Sequence, residues 1–363
     1  PTPEPTPALN PNHVWIAAEA QATAVLTVSP EGETTRVRLP LNEGQTASNV
    51  VASSDGRYLA YLVWSDGGTQ ERGIAVWPLI EPNARLIVQP LPGYRVISLT
   101  FAADSSALLF VQVPPGLPHD VAWRLESVPP VGGPATLLAD RESAPGILGP
   151  EPFAWPEGGP IYLNALTRDA DRAADVLQGI YTLDPATGAV ALASPPEDRV
   201  ITDGALSPDG SKLAYTTYDG PLPGEEGGTA TPVVARVLDL ASGGVTTLAA
   251  PEGGSVISVA WLPDGDHVLL DFLAAAGERE SQTFALVEVG RAPPWPHLPA
   301  DAGRAQLFTY LPHRGGVAYT VYPSGPEAPW ELTLFAEIAA DATPQIVPLE
   351  RLADGAARVI RAP

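Results

Sequence analysis

The chain has 363 residues, with 42 carboxylates against 20 basic side chains, a net charge of −22 and a hydrophobic share of 45%. That charge repels phosphate backbones and anionic lipid, so nucleic acid and membrane surfaces are set aside as partners. With no cysteine there is no disulfide, no thiolate metal site and no thiol nucleophile.

Methionine is absent as well, which suits a location outside the cell where oxidised sulfur is hard to repair. We therefore expect an extracellular or cell-surface protein, exported and bacterial. The first residue is Pro1, so a processed or truncated product is expected. No run of eighteen apolar residues occurs, and no membrane insertion is expected. The 34 glycines and 42 prolines lack a collagen-like period and point to many short strands joined by tight turns.

Residues 1–12, PTPEPTPALNPN, read as an extended Pro/Thr-rich arm or spacer that cannot bury enough surface to fold alone. Residues 13–363 then read as one all-β domain. Three strands come first, at His13–Ala18, Thr23–Ser29 and Thr34–Leu39. Groups of four follow. One group covers Ser48–Ser53, Arg57–Trp64, Gly73–Leu79 and Ala84–Gln89. The next covers Arg95–Ala102, Ala107–Val113, Val121–Val128 and Ala135–Ala139. A further group takes Gly146–Ala154, Pro160–Leu166, Val176–Leu183 and Ala189–Ala193. Val200–Leu206, Ser211–Tyr218, Pro232–Leu240 and Gly244–Ala249 come after it. The sixth unit has Ser255–Trp261, Asp266–Phe272, Gln282–Val289 and an ill-defined outer strand before Pro299. The last full group is Ala305–Leu311, Gly316–Tyr322, Trp330–Ile338 and Pro344–Leu349, and one strand, Ala356–Arg361, is left over. Pairing it with the first three strands would complete a seventh blade and close a single β-propeller, leaving no free sheet edge.

A repeated phrase supports this architecture. Ser53-Ser54-Asp55-Gly56-Arg57-Tyr58-Leu59-Ala60-Tyr61 returns at 207–215 as S-P-D-G-S-K-L-A-Y, and related turns occur at 103–110, 155–163, 262–270 and 312–319. The turns recur roughly every fifty residues, the spacing of one blade each. Glycine supplies the positive φ of a tight hairpin, and aspartate accepts from nearby backbone N–H groups. These residues are expected to build the fold, not to bind a metal or phosphate.

The phrase at 207–215 resembles the TolB-type propeller repeat of exported bacterial proteins. Similar blades form the non-catalytic domain of the prolyl oligopeptidase and dipeptidyl peptidase families. The resemblance spans about 45–350, rests on some nine residues per blade and implies a fold rather than an activity. The helical N-terminal domain of TolB and the α/β-hydrolase domain of the peptidases have no counterpart here.

Chemistry is harder to find. No Gly-x-Ser-x-Gly elbow occurs, and His13, His119, His267, His297 and His313 show no metal-ligand spacing, so no catalytic residue, cofactor or metal is expected. Asp169, Asp171 and Asp175 could offer oxygens to calcium, but the rest of a calcium loop is missing and a solvated acidic loop is the simpler reading. Most of the eight tryptophans are expected in the core, with Trp64 and Trp295 as candidates for an interface or sugar stacking.

The functional expectation is a non-catalytic scaffold or protein-interaction module, not an enzyme, whose partner is another protein or a copy of itself. In a self-assembling filament or array, Pro3, Pro5 and Pro7 with Val14, Trp15 and Ile16 would add as a strand to the next subunit. Glu225 and Glu226, in the longest loop, 219–231, are the other candidate interaction residues. The alternative is a propeller that binds carbohydrate or another small ligand on its loop face or in its channel, and a third class is a hydrolase or lyase.

Overall fold

The computed structural model describes residues 9–10, 13–18, 21–29, 31–81, 83–115, 122–168, 176–196, 198, 200, 204–218, 233–248, 254–262, 264–274 and 281–290. Beyond these it describes the backbone of six strands between 297 and 361.

The described backbone is all β. The strands are β1 (Val14–Ala18), β2 (Ala24–Val28) and β3 (Thr34–Arg38), then β4 (Thr46–Ala52), β5 (Tyr58–Ser65), β6 (Gln70–Pro78) and β7 (Arg85–Val88). They continue as β8 (Arg95–Phe101), β9 (Leu108–Val113), β10 (Arg124–Val128), β11 (Thr136–Asp140), β12 (Ile147–Ala154), β13 (Ile161–Arg168), β14 (Val176–Leu183) and β15 (Val190–Leu192). Next come β16 (Ala205–Leu206), β17 (Lys212–Tyr218), β18 (Val233–Asp239), β19 (Val245–Leu248), β20 (Ser255–Trp261), β21 (His267–Ala274), β22 (Ser281–Glu288) and β23 (His297–Pro299). The last are β24 (Ala305–Leu311), β25 (Gly316–Val321), β26 (Trp330–Leu334), β27 (Gln345–Leu349) and β28 (Ala357–Arg361).

Among the described residues these make seven four-stranded sheets, six of them built from four consecutive strands. The seventh has the order β28-β1-β2-β3. The propeller fold class expected from the repeat is therefore present, and its boundaries fall within a few residues of those read from the sequence. The largest departure is β16, which is two residues long, while Val200 makes an isolated bridge to Thr217.

Contacts divide the chain into two compact units, one of 1–168, 182–191 and 349–363, the other of 169–181 and 192–348. In the first, Leu62, Ile74, Val76, Val96, Leu108 and Phe110 pack the β4–β7 sheet against the β8–β11 sheet. In the second, Ala214, Val237, Val256, Val268 and Leu270 do the same between β17–β19 and β20–β22.

Burial follows strand position within a sheet. Leu59–Val63 of β5 are buried on both faces, because the second strand is covered by a sheet on either side. The outer β3 and β7 each bury one residue, Val37 and Val88. Inner strands are intermediate and carry bulges, for example at Ser48/Val51, Val96/Ser98 and Val256/Ser258. An extra residue there increases the local twist. At the first of these bulges Asn49 has φ 49°, and its side-chain amide donates to the Ile97 carbonyl of the next sheet, 3.2 Å away.

The hairpin phrase has one hydrogen-bond plan. The Gly56 N–H donates to the Ser53 carbonyl, the Ser53 hydroxyl to Asp55, and the Arg57 and Tyr58 N–H groups to Ser53 Oγ. Ser207, Asp209, Gly210 and Lys212 repeat the pattern. This explains why serine opens the phrase and is buried in both copies. The third repeat puts Ser105 where glycine belongs, at φ 60°. Its hydroxyl accepts from the Asp55 N–H across the sheets at 3.1 Å, which offsets the cost of a left-handed serine.

The turn carboxylates give these hairpins an acid limit. Backbone N–H donation from Ser211, with the Ser207 and Ser211 hydroxyls, lowers Asp209 to about 2. Asp55 and Asp264 are lowered too, the upward push of partial burial being outweighed by hydrogen bonds from Ser53 and Arg57 and from Asp266 and His267. Groups with a depressed folded-state pKa stabilise the protein above their unfolded value, 3.8 for aspartate, and lose that contribution as pH falls through the folded value. The melting temperature should be level above pH of about 5 and fall steeply from about 4 to 2. Asp209→Asn should flatten part of that fall, and melting curves across this range test it.

Candidate functional site

A cleft of about 450 Å³ opens in the first unit, where three turns converge. The β8–β9 turn brings Asp104, the β12–β13 turn brings Trp155, Pro156 and Glu157, and the β14–β15 turn brings Asp184 and Pro185. Each turn is set by local chemistry. The Ser106 N–H donates to Asp104 Oδ1 at 2.9 Å, and the Ala186 N–H to Asp184 Oδ1 at 2.8 Å. The Trp155 carbonyl accepts from the Ala103 N–H at 2.9 Å, which joins two of the turns. The Ser106 hydroxyl and N–H hold Asp104 below the usual carboxylate range, and the Ala186 N–H with Thr187 does so for Asp184. Both remain ionised well into acid.

Trp155 differs from the other tryptophans whose side chains are described. The indole N–H groups of Trp15, Trp64, Trp77, Trp123 and Trp261 donate to Asn10, Ser48, Glu81, Ile147 and Ala205 respectively. That of Trp155 donates to no described residue, and its ring is half-buried in the cleft wall. Trp64, singled out from the sequence, packs on the core and is anchored to Ser48. The signal for Trp155 was its Trp-Pro-Glu-Gly-Gly-Pro turn, which departs from the Asp-Gly step at 55–56, 209–210 and 264–265.

A second polar cluster lies in the other unit. The buried Asp198 carboxylate accepts from the Tyr215 hydroxyl and pairs with Arg236, whose strand position lies opposite Tyr215. Only 2% of the Asp198 side chain is exposed, so this is an internal clamp rather than a site open to substrate. Tyr61 holds the same place in its repeat as Tyr215, but its hydroxyl is buried with no partner among the described residues, and burial pushes its pKa well up. Tyr61→Phe should thus be neutral or stabilising by up to about 1 kcal/mol, whereas Tyr215→Phe should cost about 1–2 kcal/mol. Urea unfolding of the two variants checks the contrast, and equal effects would refute it.

The other residues marked from the sequence are dispersed. Val14, Trp15 and Ile16 lie in β1, almost fully buried and paired on both sides with β2 and β28. Pro3, Pro5, Pro7, Glu225, Glu226, Asp169, Asp171, Asp175, His119 and His313 lie outside the described residues. His267 Nδ1 sits 2.7 Å from Asp264 at a hairpin. The single lysine, Lys212, lies 5.9 Å from the Trp261 ring centre and donates to the Gly265 carbonyl. No group of three or more metal-ligating side chains converges among the described residues, and no helix there is long and apolar enough to cross a membrane.

No protein-family model matches the chain, and comparison with curated proteins gives no match. Solved structures do resemble it. A prolyl endopeptidase matches with a TM-score of 0.63 at 12% identity, covering 96% of this chain and 50% of its own. The oligogalacturonate lyase of Vibrio parahaemolyticus matches with a TM-score of 0.61 at 11% identity, covering 93% and 91%. The β-propeller domain of the trilobed protease from Pyrococcus furiosus matches with a TM-score of 0.55 at 11% identity, covering 85% and 86%. The chain spans half the length of the prolyl endopeptidase. At such identities the likeness establishes a β-propeller.

These neighbours also correct the expectation of a non-catalytic scaffold that is not an enzyme, and with it the filament and structural-protein reading. These solved propellers are enzymes or parts of enzymes. The physical reason for the miss is that a propeller assembles polar groups from turns on separate blades. A search for contiguous motifs such as Gly-x-Ser-x-Gly does not see such a site.

Proposed function

We propose that this chain is an enzyme propeller of the hydrolase or lyase type, acting on an oligomeric substrate. The observation that carries this reading is the near end-to-end match to the oligogalacturonate lyase, supported by the match to the propeller-sized half of a prolyl endopeptidase. The net charge of −22 favours peptide or neutral and cationic oligomers over polyanionic ones. The absent nucleophile elbow argues against an acyl-enzyme route carried by this chain alone. Within the propeller class, the S-P-D-G phrase at 207–210 supports the TolB-type repeat, and the absence of both sulfur side chains supports export.

The test is incubation of the full chain with panels of oligopeptides and oligosaccharides, with and without added divalent metal, followed by mass spectrometry. Products that together gain one water identify a hydrolase. Unsaturated products without that gain identify a lyase. An intact panel under all conditions would overturn the reading.

A further inference from the structure

We propose that the Trp155 cleft is a binding site for a guanidinium group, carried by an arginine side chain of a peptide. The inference is independent of whether the chain catalyses a reaction. Its volume, about 450 Å³, lies within the range of pockets that take small ligands. Its wall joins one flat aromatic face to proline rings, Pro156 and Pro185, and its rim carries Asp104, Glu157 and Asp184. None of the lining residues is basic.

Three features select the cation. Asp104 and Asp184 accept hydrogen bonds from their own turns, and neither pairs with a cation among the described residues. Glu157 is exposed and makes no ion pair or hydrogen bond with the described residues. The cleft thus holds negative charge that no described side chain neutralises, in a strongly acidic chain. An ionised carboxylate and an aromatic face together suit a planar guanidinium, which stacks on indole and pairs with carboxylate oxygens in a fork. The free Trp155 N–H can donate to a carbonyl of the peptide that carries the arginine, so charge and backbone are both met. A neutral sugar would stack on the ring but leave the carboxylates uncompensated.

The test is calorimetric titration of the full chain with acetyl-Gly-Arg-Gly-amide and with the same peptide carrying citrulline, a neutral near-isostere. Arginine should bind about tenfold or more tightly than citrulline, and added salt should weaken it. Trp155→Ala and Glu157→Gln should each weaken arginine binding several-fold. Glu157 is exposed and makes no bond with the described residues, so its variant should keep the parent melting temperature and remain interpretable if Trp155→Ala unfolds. Equal binding of both peptides, no binding of either, or arginine binding unchanged in Glu157→Gln would overturn the proposal. Preference for a neutral oligosaccharide over the arginine peptide would overturn it too.

Discussion

Removing residues 357–363 should abolish cooperative folding of the first unit. The deletion takes away β28, the partner of β1 through Trp15↔Arg361, Ile16↔Val359, Ala17↔Arg358 and Ala18↔Ala357. Losing the backbone hydrogen bonds of this ladder, at about 1 kcal/mol each, costs several kcal/mol, on the order of the whole stability of a marginal domain. Exposure of the β1 edge adds a tendency to aggregate, since Trp15 and Ile16 are 0% exposed in the intact sheet. The measurement is urea unfolding with size-exclusion chromatography. The synthetic pentapeptide of residues 357–361 should restore part of the transition when added in trans. A truncated chain that melts like the parent would show that β28 is dispensable.

Asp198→Ala should be the most damaging single substitution in the second unit, at about 3–5 kcal/mol. It removes at once the carboxylate that the Arg236 guanidinium and the buried Tyr215 hydroxyl both engage. The cost comes chiefly from the partners left without their carboxylate, because a buried ion pair contributes little net stability when intact. Asp198→Asn keeps an acceptor for Tyr215 and should fall between wild type and Asp198→Ala. Combining Asp198→Ala with Tyr215→Phe should cost less than the sum of the two, and an additive result would separate them.

The repeat made the strands legible because each hairpin is specified locally. Ser53, Asp55 and Gly56 close their turn with their own hydrogen bonds, so the pattern needs no partner to be recognised. The leftover strand at the C-terminus and the missing one at the N-terminus were visible as a count, and their pairing followed from the need to cover an edge. Ser105 was legible only as a deviation. Its φ of 60° and its bond to Asp55 required the neighbouring sheet to be in place.

The candidate site was not legible. Asp104, Trp155 and Asp184 come from three different turns, and apart from the unusual turn that carries Trp155 nothing within a single repeat marks them. Likewise Tyr61 and Tyr215 occupy the same letter of the same phrase, yet one hydroxyl is without a described partner and the other holds a buried aspartate. Strand period, turn chemistry and terminal strand pairing depend on neighbours in sequence or on edge counting, and composition supplies them. Which tryptophan faces a cleft, and which tyrosine meets a charge, depends on residues dozens of positions apart, and only packing of one sheet on the next decides it.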